Sequence, residues 1–190
     1  MDTAAESYAR GKTAEPYGTM LAPETVRIER LLPGPIERVW SYLTDSDKRA
    51  KWFAGGPMEL RQGGAVSLTF RNSDLSDGET HPDSVCSADG VDHVMTGVIT
   101  KCEPPRLLSF NWSADGTGTD TTFELSQEGP DTRLVVTHRR IPNRMQLVNM
   151  SAGWHVHIGI LIDLLSETTP RRFWPEQIRL MKVYQARFAE

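Results

Sequence analysis

Two histidines one residue apart, His155 and His157, and a third at His138 are the side chains best suited to chemistry in this sequence. A pair of imidazoles can hold a metal ion or pass a proton, provided both reach one point. On a helix, positions i and i+2 point about 200° apart, whereas chelating pairs stand at i and i+4. A metal shared by His155 and His157 is therefore not expected. On a wheel of about 100° per residue, His157 falls about 60° from Trp154, at the edge of the apolar face, and His155 about 100° away. His138 alternates in phase with Leu134 and Val136, so it should face the dry side of a strand. An unpaired buried imidazole costs about 1 to 3 kcal/mol, so His138 and His157 each need a partner, a water or a ligand. Two readings stay open. Either they meet the polar end of a ligand, or act as acid and base, or they bond each other or the backbone as structural groups.

Phe70, Trp112, Phe123 and Trp154 would line the same interior, with Met150 and Leu161 on the helix face of Trp154. Aromatics build an apolar pocket with specific faces, and they build an ordinary core equally well. The stretch from Asn72 to Val94 carries Asp74, Asp77, Glu79, Asp83, Asp89 and Asp92 with His81, His93 and Cys86, and no Lys or Arg. It reads as a divalent-metal site or a mobile lid, or as an insertion kept soluble by charge. Without EF-hand spacing or H-E-x-x-H, the second reading is preferred. The chain contains no G-x-S-x-G, no P-loop, no complete G-x-G-x-x-G and no C-x-x-C. No catalytic residue is assigned, and no cofactor or metal is expected.

The elements that must position these groups are legible from pattern. Residues 1–23 are polar, carry Pro16, Gly18 and Pro23 without a sustained period, and read as a flexible tail. Residues 24–190 read as one domain. Val26 and Ile28 alternate with Arg27 and Glu29, the pattern of a strand with one wet face, running to about Leu32. Pro35 followed by Ile36, Val39, Trp40 and Leu43 predicts a helix. Asp45 or Ser46 caps a second short one ending near Trp52, before Gly55, Gly56 and Pro57. Strand chemistry recurs at Met58 to Arg61, Ala65 to Arg71, Val94 to Cys102, Leu107 to Trp112, Thr121 to Gln127 and Arg133 to Arg139. Connections this short force antiparallel pairing.

A helix from about Arg144 to Glu167 follows. Leu147, Met150, Ile158, Leu161 and Leu165 fall within about 40° of Trp154, and Asn149, Asp163 and Glu167 lie opposite. Only this helix is long enough to cover the dry face of the sheet. Residues 168–190 add a last amphipathic helix. Its Ile178, Met181 and Phe188, together with Val148 and Val156, either pack internally or form a homodimer.

Composition sets the boundaries of function. Lys and Arg number 21 against 25 Asp and Glu, a net charge of −4, and 38% of residues are hydrophobic. A domain of this size buries roughly 70% of its unfolded surface, enough for a core without disulfides. The mild acidity argues against nucleic acid as a partner. Arg133, Arg139, Arg140, Arg144, Arg171 and Arg172 read either as a patch for an acidic partner or, the preferred reading, as a solvated strand face and helix-end charges. Cys86 and Cys102 alone fit a reducing compartment, and the N-terminus lacks the apolar stretch of a secretory signal. The apolar run Gly159 to Leu165 is far shorter than the roughly 20 residues of a membrane span. A cytoplasmic protein with no membrane span is expected.

The order of elements and five strings resemble the SRPBCC (START/Bet v 1-like) superfamily, and within it the activator of Hsp90 ATPase homologue C-terminal-like family. The strings are PGPIERVWSYLTDSDKRAKWF, the QGG turn, TGVITKCEPPRLLSFNW, TTFELSQEGPDTRLVVTHRRIP and SAGWHVHIG. The resemblance spans about Glu24 to Leu165. It implies an α+β helix-grip fold: a curved antiparallel sheet of six to seven strands around a long C-terminal helix, with two short helices after the first strand. It also implies a hydrophobic cavity between sheet and helix, used in relatives for lipids, sterols, polyketides or plant hormones. The Asn72 to His93 loop is longer than the family pattern, and the additional N-terminal domain of the eukaryotic chaperone activator is absent. The expected function is therefore binding of a small hydrophobic or amphipathic molecule. A cofactor-free cyclase- or dehydratase-like enzyme is the alternative. Chaperone interaction is implied by the resemblance alone.

Overall fold

The computed structural model describes residues 17–76 and 93–189. Seven strands make one curved, open sheet: β1 (Thr19–Ala22), β2 (Thr25–Leu32), β3 (Ala65–Phe70), β4 (His93–Glu103), β5 (Leu107–Asn111), β6 (Asp120–Glu128) and β7 (Asp131–Arg139). Every pairing is antiparallel, in the order β1-β2-β7-β6-β5-β4-β3. Helices α1 (Ile36–Thr44) and α2 (Ser46–Arg49) lie between β2 and β3, and α3 (Arg144–Leu165) and α4 (Phe173–Arg187) follow β7. This is the α+β helix-grip architecture expected from the sequence.

Alternation places the core. Val26, Ile28 and Leu32 on β2 are buried, as are Leu134 and Val136 on β7 and Phe123 and Leu125 on β6. The register aligns Ile99, Phe110, Thr121, His138 and Val26 in one row across the sheet, and Cys102, Leu108, Phe123, Val136 and Ile28 in another. Gly97 sits where β4 closes on β5, since a methyl there would lie 2.1 Å from the Asn111 carbonyl oxygen.

Local chemistry sets the helices between β2 and β3. Pro35 occupies the N-cap position of α1 with extended backbone, and Ile36, Val39 and Leu43 form its buried stripe. Asp45 caps α2 by accepting the Lys48 N–H at 2.9 Å. Arg49 is only 2% exposed. Its guanidinium donates to the carbonyls of Thr44 and Ala54, each at 3.0 Å, and of Gly56. A buried cation satisfied by backbone dipoles thus closes the turn from α2 toward β3.

Three features differ from the sequence reading. Thr19–Ala22 forms an edge strand within the stretch read as a tail, with Thr19 opposite Arg27 and Met20 opposite Val26. All four of its side chains are exposed, so backbone bonding alone recruits it and no apolar alternation marks it. Met58 to Arg61 is not a strand: Met58 touches β3 through a single bridge to Val66, as Gly55 before it does to Thr69. Gly56, at φ 106°, and Pro57 interrupt regular pairing there. Finally, α3 is not wet on its far side: His155, Val156 and Ile160 are buried, because α4 packs on it with Phe173, Trp174, Leu180 and Tyr184. Asn149 and Glu167, near its ends, are exposed as expected. The acidic stretch from Asp77 to Asp92, including His81 and Cys86, lies outside the described residues.

The α3–α4 turn is locked by charge. Arg171 Nε donates to Asp163 Oδ2 at 2.7 Å and Nη2 to Oδ1 at 2.6 Å. Its guanidinium lies over Gly159, where a methyl would come within 2.8 Å of it.

Candidate functional site

The inner end of the helix grip is an aromatic cluster. β7 supplies His138, β6 Phe123, β5 and the turn after it Phe110 and Trp112, β3 Phe70, and α3 Met150, Trp154, His157 and Leu161. Trp154 meets Phe123 edge-to-face at 5.4 Å and Trp112 at 6.2 Å. Trp112 stacks between Phe70 (6.1 Å, 18° between planes) and His138 (5.5 Å, 17°). Three rings therefore lie nearly parallel, in the offset spacing that the ring quadrupole favours.

Burial is graded across this cluster. Phe123, His138, Trp154, His157 and Leu161 are buried, whereas Phe70, Trp112 and Met150 are half-buried. Phe53, which sequence reasoning missed, lies at the centre of the cluster, stacked on Trp154 at 5.0 Å and edge-on to Phe70 at 5.1 Å and His157 at 5.2 Å. It follows the short helix α2, where neither a helical nor a strand period applies, so nothing local marks it as inward.

The two site histidines have partners. Trp154 Nε1–H donates to His138 Nδ1 at 2.9 Å, which places the ring proton on Nε2, 2.7 Å from Thr119 Oγ1. Burial drives the His138 pKa down to about 4, against a smaller opposing pull from Asp120. His138 is thus a neutral Nε2–H imidazole at neutral pH. His157 Nδ1 lies 2.7 Å from the Trp52 carbonyl oxygen, which can only accept, so that nitrogen carries the proton. Trp112 Nε1–H donates to Thr121 Oγ1 at 2.7 Å.

His155 points the other way, into a separate buried network under α4. Arg30 Nη2 approaches its Nε2 at 3.4 Å, and since a guanidinium only donates, Nδ1–H is left to donate to Tyr184 Oη at 3.0 Å. The same phenol oxygen accepts the Gly18 N–H at 2.6 Å. Burial, then the charges of Arg30, Arg179 and Arg171, push the His155 pKa down to about 2, and burial lifts Tyr184 to about 12. The two adjacent histidines therefore serve different layers, as their spacing on a helix requires.

Surface depressions among the described residues include three with the following linings. One of about 390 Å³ is bounded by Ala50, Phe53, Gly55, Gly56, Thr69, Arg71 and Asp74. One of about 320 Å³ lies between α3 and α4 at Met145, Val148 and Met181. One of about 450 Å³ is rimmed by Arg27, Glu103, Arg106 and Glu124. None of the three is bounded by Trp112, His138 or Trp154. No group of three or more His, Cys, Asp or Glu side chains among the described residues could hold a metal ion. No helix among them is long and apolar enough to cross a membrane.

Known structures share this fold. The solution structure of the protein encoded by gene BPP1335 from Bordetella parapertussis has 36% sequence identity, with 92% of this chain and 91% of that one covered at a TM-score of 0.76. CalU16 from Micromonospora echinospora has 23% identity over 85% of this chain and 86% of its own, TM-score 0.60. EF2215 from Enterococcus faecalis has 19% identity over 90% of each chain, TM-score 0.63. The last two show the fold alone. No match was found among curated proteins. The model of the family described as activator of Hsp90 ATPase homolog 1-like protein matches residues 33–166, most of the helix grip, and the chain belongs to that family.

Proposed function

We propose that this protein binds a small hydrophobic or amphipathic molecule at the end of the helix grip where Phe70, Trp112 and Met150 are half-buried. The observation that carries the reading is the grading of the cluster: rings sealed around Trp154 and His138, and the same stack left partly open at Trp112 and Phe70. The family fold is a ligand-binding scaffold in general, which supports it. A ligand that hides roughly 300 Å² of apolar surface gains about 7 kcal/mol before association losses, so micromolar affinity, about 8 kcal/mol net, also draws on a larger buried area and on ring stacking of the kind this cluster offers. Titration with N-phenyl-1-naphthylamine, a neutral dye that brightens in apolar surroundings, tests it. Saturable micromolar binding is expected. No saturable signal from this dye or from a panel of fatty acids and sterols up to their solubility limits removes the reading.

A cyclase- or dehydratase-like activity has less support, because both His138 nitrogens are engaged by protein partners. A homodimer through the last helix has less as well: Phe188 is buried and Ile178 and Met181 half-buried, so that face is largely spent within the chain. Chaperone association has the family's name behind it.

A further inference from the structure

Resting on the ligand-binding reading above, we propose that Gly153 on α3 keeps open the helix side of the site and so admits a molecule broader than a single acyl chain. Proline apart, glycine is the poorest residue in a helix interior, and alanine in its place favours the helix about fivefold. α3 holds two such glycines, Gly153 and Gly159. Gly159 has a visible reason, since the Arg171 guanidinium lies against the place its Cβ would take. Gly153 has no such neighbour. A Cβ there would meet no side chain or distant backbone of the described residues within 4 Å, yet Gly153 itself is half-buried. A helix position facing bulk water is exposed, and one in a packed core has neighbours at about 4 Å. Half-burial without contact describes a wall set back from whatever faces it.

Helix geometry puts that wall beside the half-buried rings. The neighbours of Gly153 on its own flank of α3 are Met150, three residues before it, and His157, four after it. Met150 is half-buried against the core, and His157 is edge-on to Phe53 at 5.2 Å. Phe53 in turn lies 5.1 Å from Phe70 and 6.2 Å from Trp112. An acyl chain is one methylene wide and turns aside from a new side chain at little cost. A fused ring system is rigid and broader, so a side chain at position 153 takes space that it cannot give up. Gly153 is thus a selectivity-determining residue, its helix penalty retained for the width of the ligand.

The test compares the ring dye N-phenyl-1-naphthylamine with the single-chain probe cis-parinaric acid on the full chain. Because the space is open, Gly153→Ala should raise the denaturant midpoint and Gly153→Leu should not lower it. Gly153→Leu should nonetheless bind the ring dye at least fivefold more weakly, with cis-parinaric acid affected less than the dye. Saturating wild type with the ring dye should shift the Gly153 amide in ¹H–¹⁵N spectra. A loss of folding or stability in either variant means that position 153 is packed, and overturns the proposal. So does a Gly153→Leu protein that keeps the ring dye within fivefold, or one that loses both probes alike. A wild type that binds only the chain probe overturns this proposal and leaves the ligand-binding reading standing. If neither probe binds wild type, nor any of the fatty acids and sterols, that reading falls and this proposal with it.

Discussion

The indole N–H of Trp154 on α3 meets Nδ1 of His138 on β7 across 2.9 Å, joining the helix to the sheet through a bond that also fixes the tautomer of the histidine. An imidazole that looks chemically available in the sequence is thereby a neutral strut.

The first consequence is a pH dependence. His138 and His155 have folded pKa values lowered to about 4 and about 2 from 6.5. Below pH 6.5 the unfolded chain binds protons that the folded one refuses, so these two groups contribute stability that is complete above 6.5 and lost as pH falls. Going from pH 7 to pH 5 should cost roughly 2 kcal/mol per histidine. Denaturant titrations at the two pH values measure it, and His138→Asn should roughly halve the histidine part. Imidazole resonances of His138 titrating near 6.5 would contradict the assignment.

Trp112 and Trp154 should separate stability from binding. Trp154 is 4% exposed and packs on Phe53, Phe123 and Trp112, so Trp154→Ala should cost about 3 to 5 kcal/mol. Trp112 is half-buried, so Trp112→Ala should cost about 1 to 2 kcal/mol less while weakening N-phenyl-1-naphthylamine by about tenfold. Paired melts and dye titrations decide this; an undiminished dye affinity in Trp112→Ala would move the ligand away from the stack.

Gly159 and Arg171 should show a reversal of sign. Alanine in a helix interior is favoured over glycine by about 1 kcal/mol. At Gly159 the added methyl would displace the guanidinium that Asp163 holds at 2.6 and 2.7 Å. Losing that two-pronged pair outweighs the helix gain, so Gly159→Ala should destabilise by about 1 kcal/mol in the native background. In an Arg171→Ala background the same change should stabilise by about 1 kcal/mol. Chemical denaturation of the four proteins gives the cycle.

Tyr184→Phe should loosen the start of the chain. It removes the phenol oxygen that accepts from Gly18 and His155, leaving two buried donors unpaired, at a cost of about 1 to 3 kcal/mol. Hydrogen exchange at Gly18 and along β1 should accelerate more than at β6 or β7. Uniform acceleration across the sheet would mean the phenol supports the whole core instead.

Much of this could be read without coordinates, for identifiable reasons. The alternation in β2 and β7 and the apolar spacing along α3 are local periodicities, and each survives folding because strand and helix geometry impose it. His155 and His157 were separable by their spacing alone. Phe53 was not legible, since its place in the cluster depends on how the turn after α2 is closed by Arg49 and the backbone carbonyls. β1 was not legible either, because an edge strand can join through backbone bonds that leave no trace in side-chain pattern.

Residue order by itself determined the order of elements apart from β1 and the Met58 to Arg61 segment, the inward set Phe123, His138, Trp154 and Leu161, and the fold class, because these follow from short-range periodicity and chain connectivity. Only the tertiary structure decided that α4 covers the far side of α3 and that His138 is neutral and tied to Trp154 and Thr119. It alone showed that Trp154 and His138 are buried while Phe70 and Trp112 of the same stack are half-buried. Those outcomes hinge on which groups from distant segments come within hydrogen-bonding or van der Waals reach, and a periodic pattern carries no information about such distances.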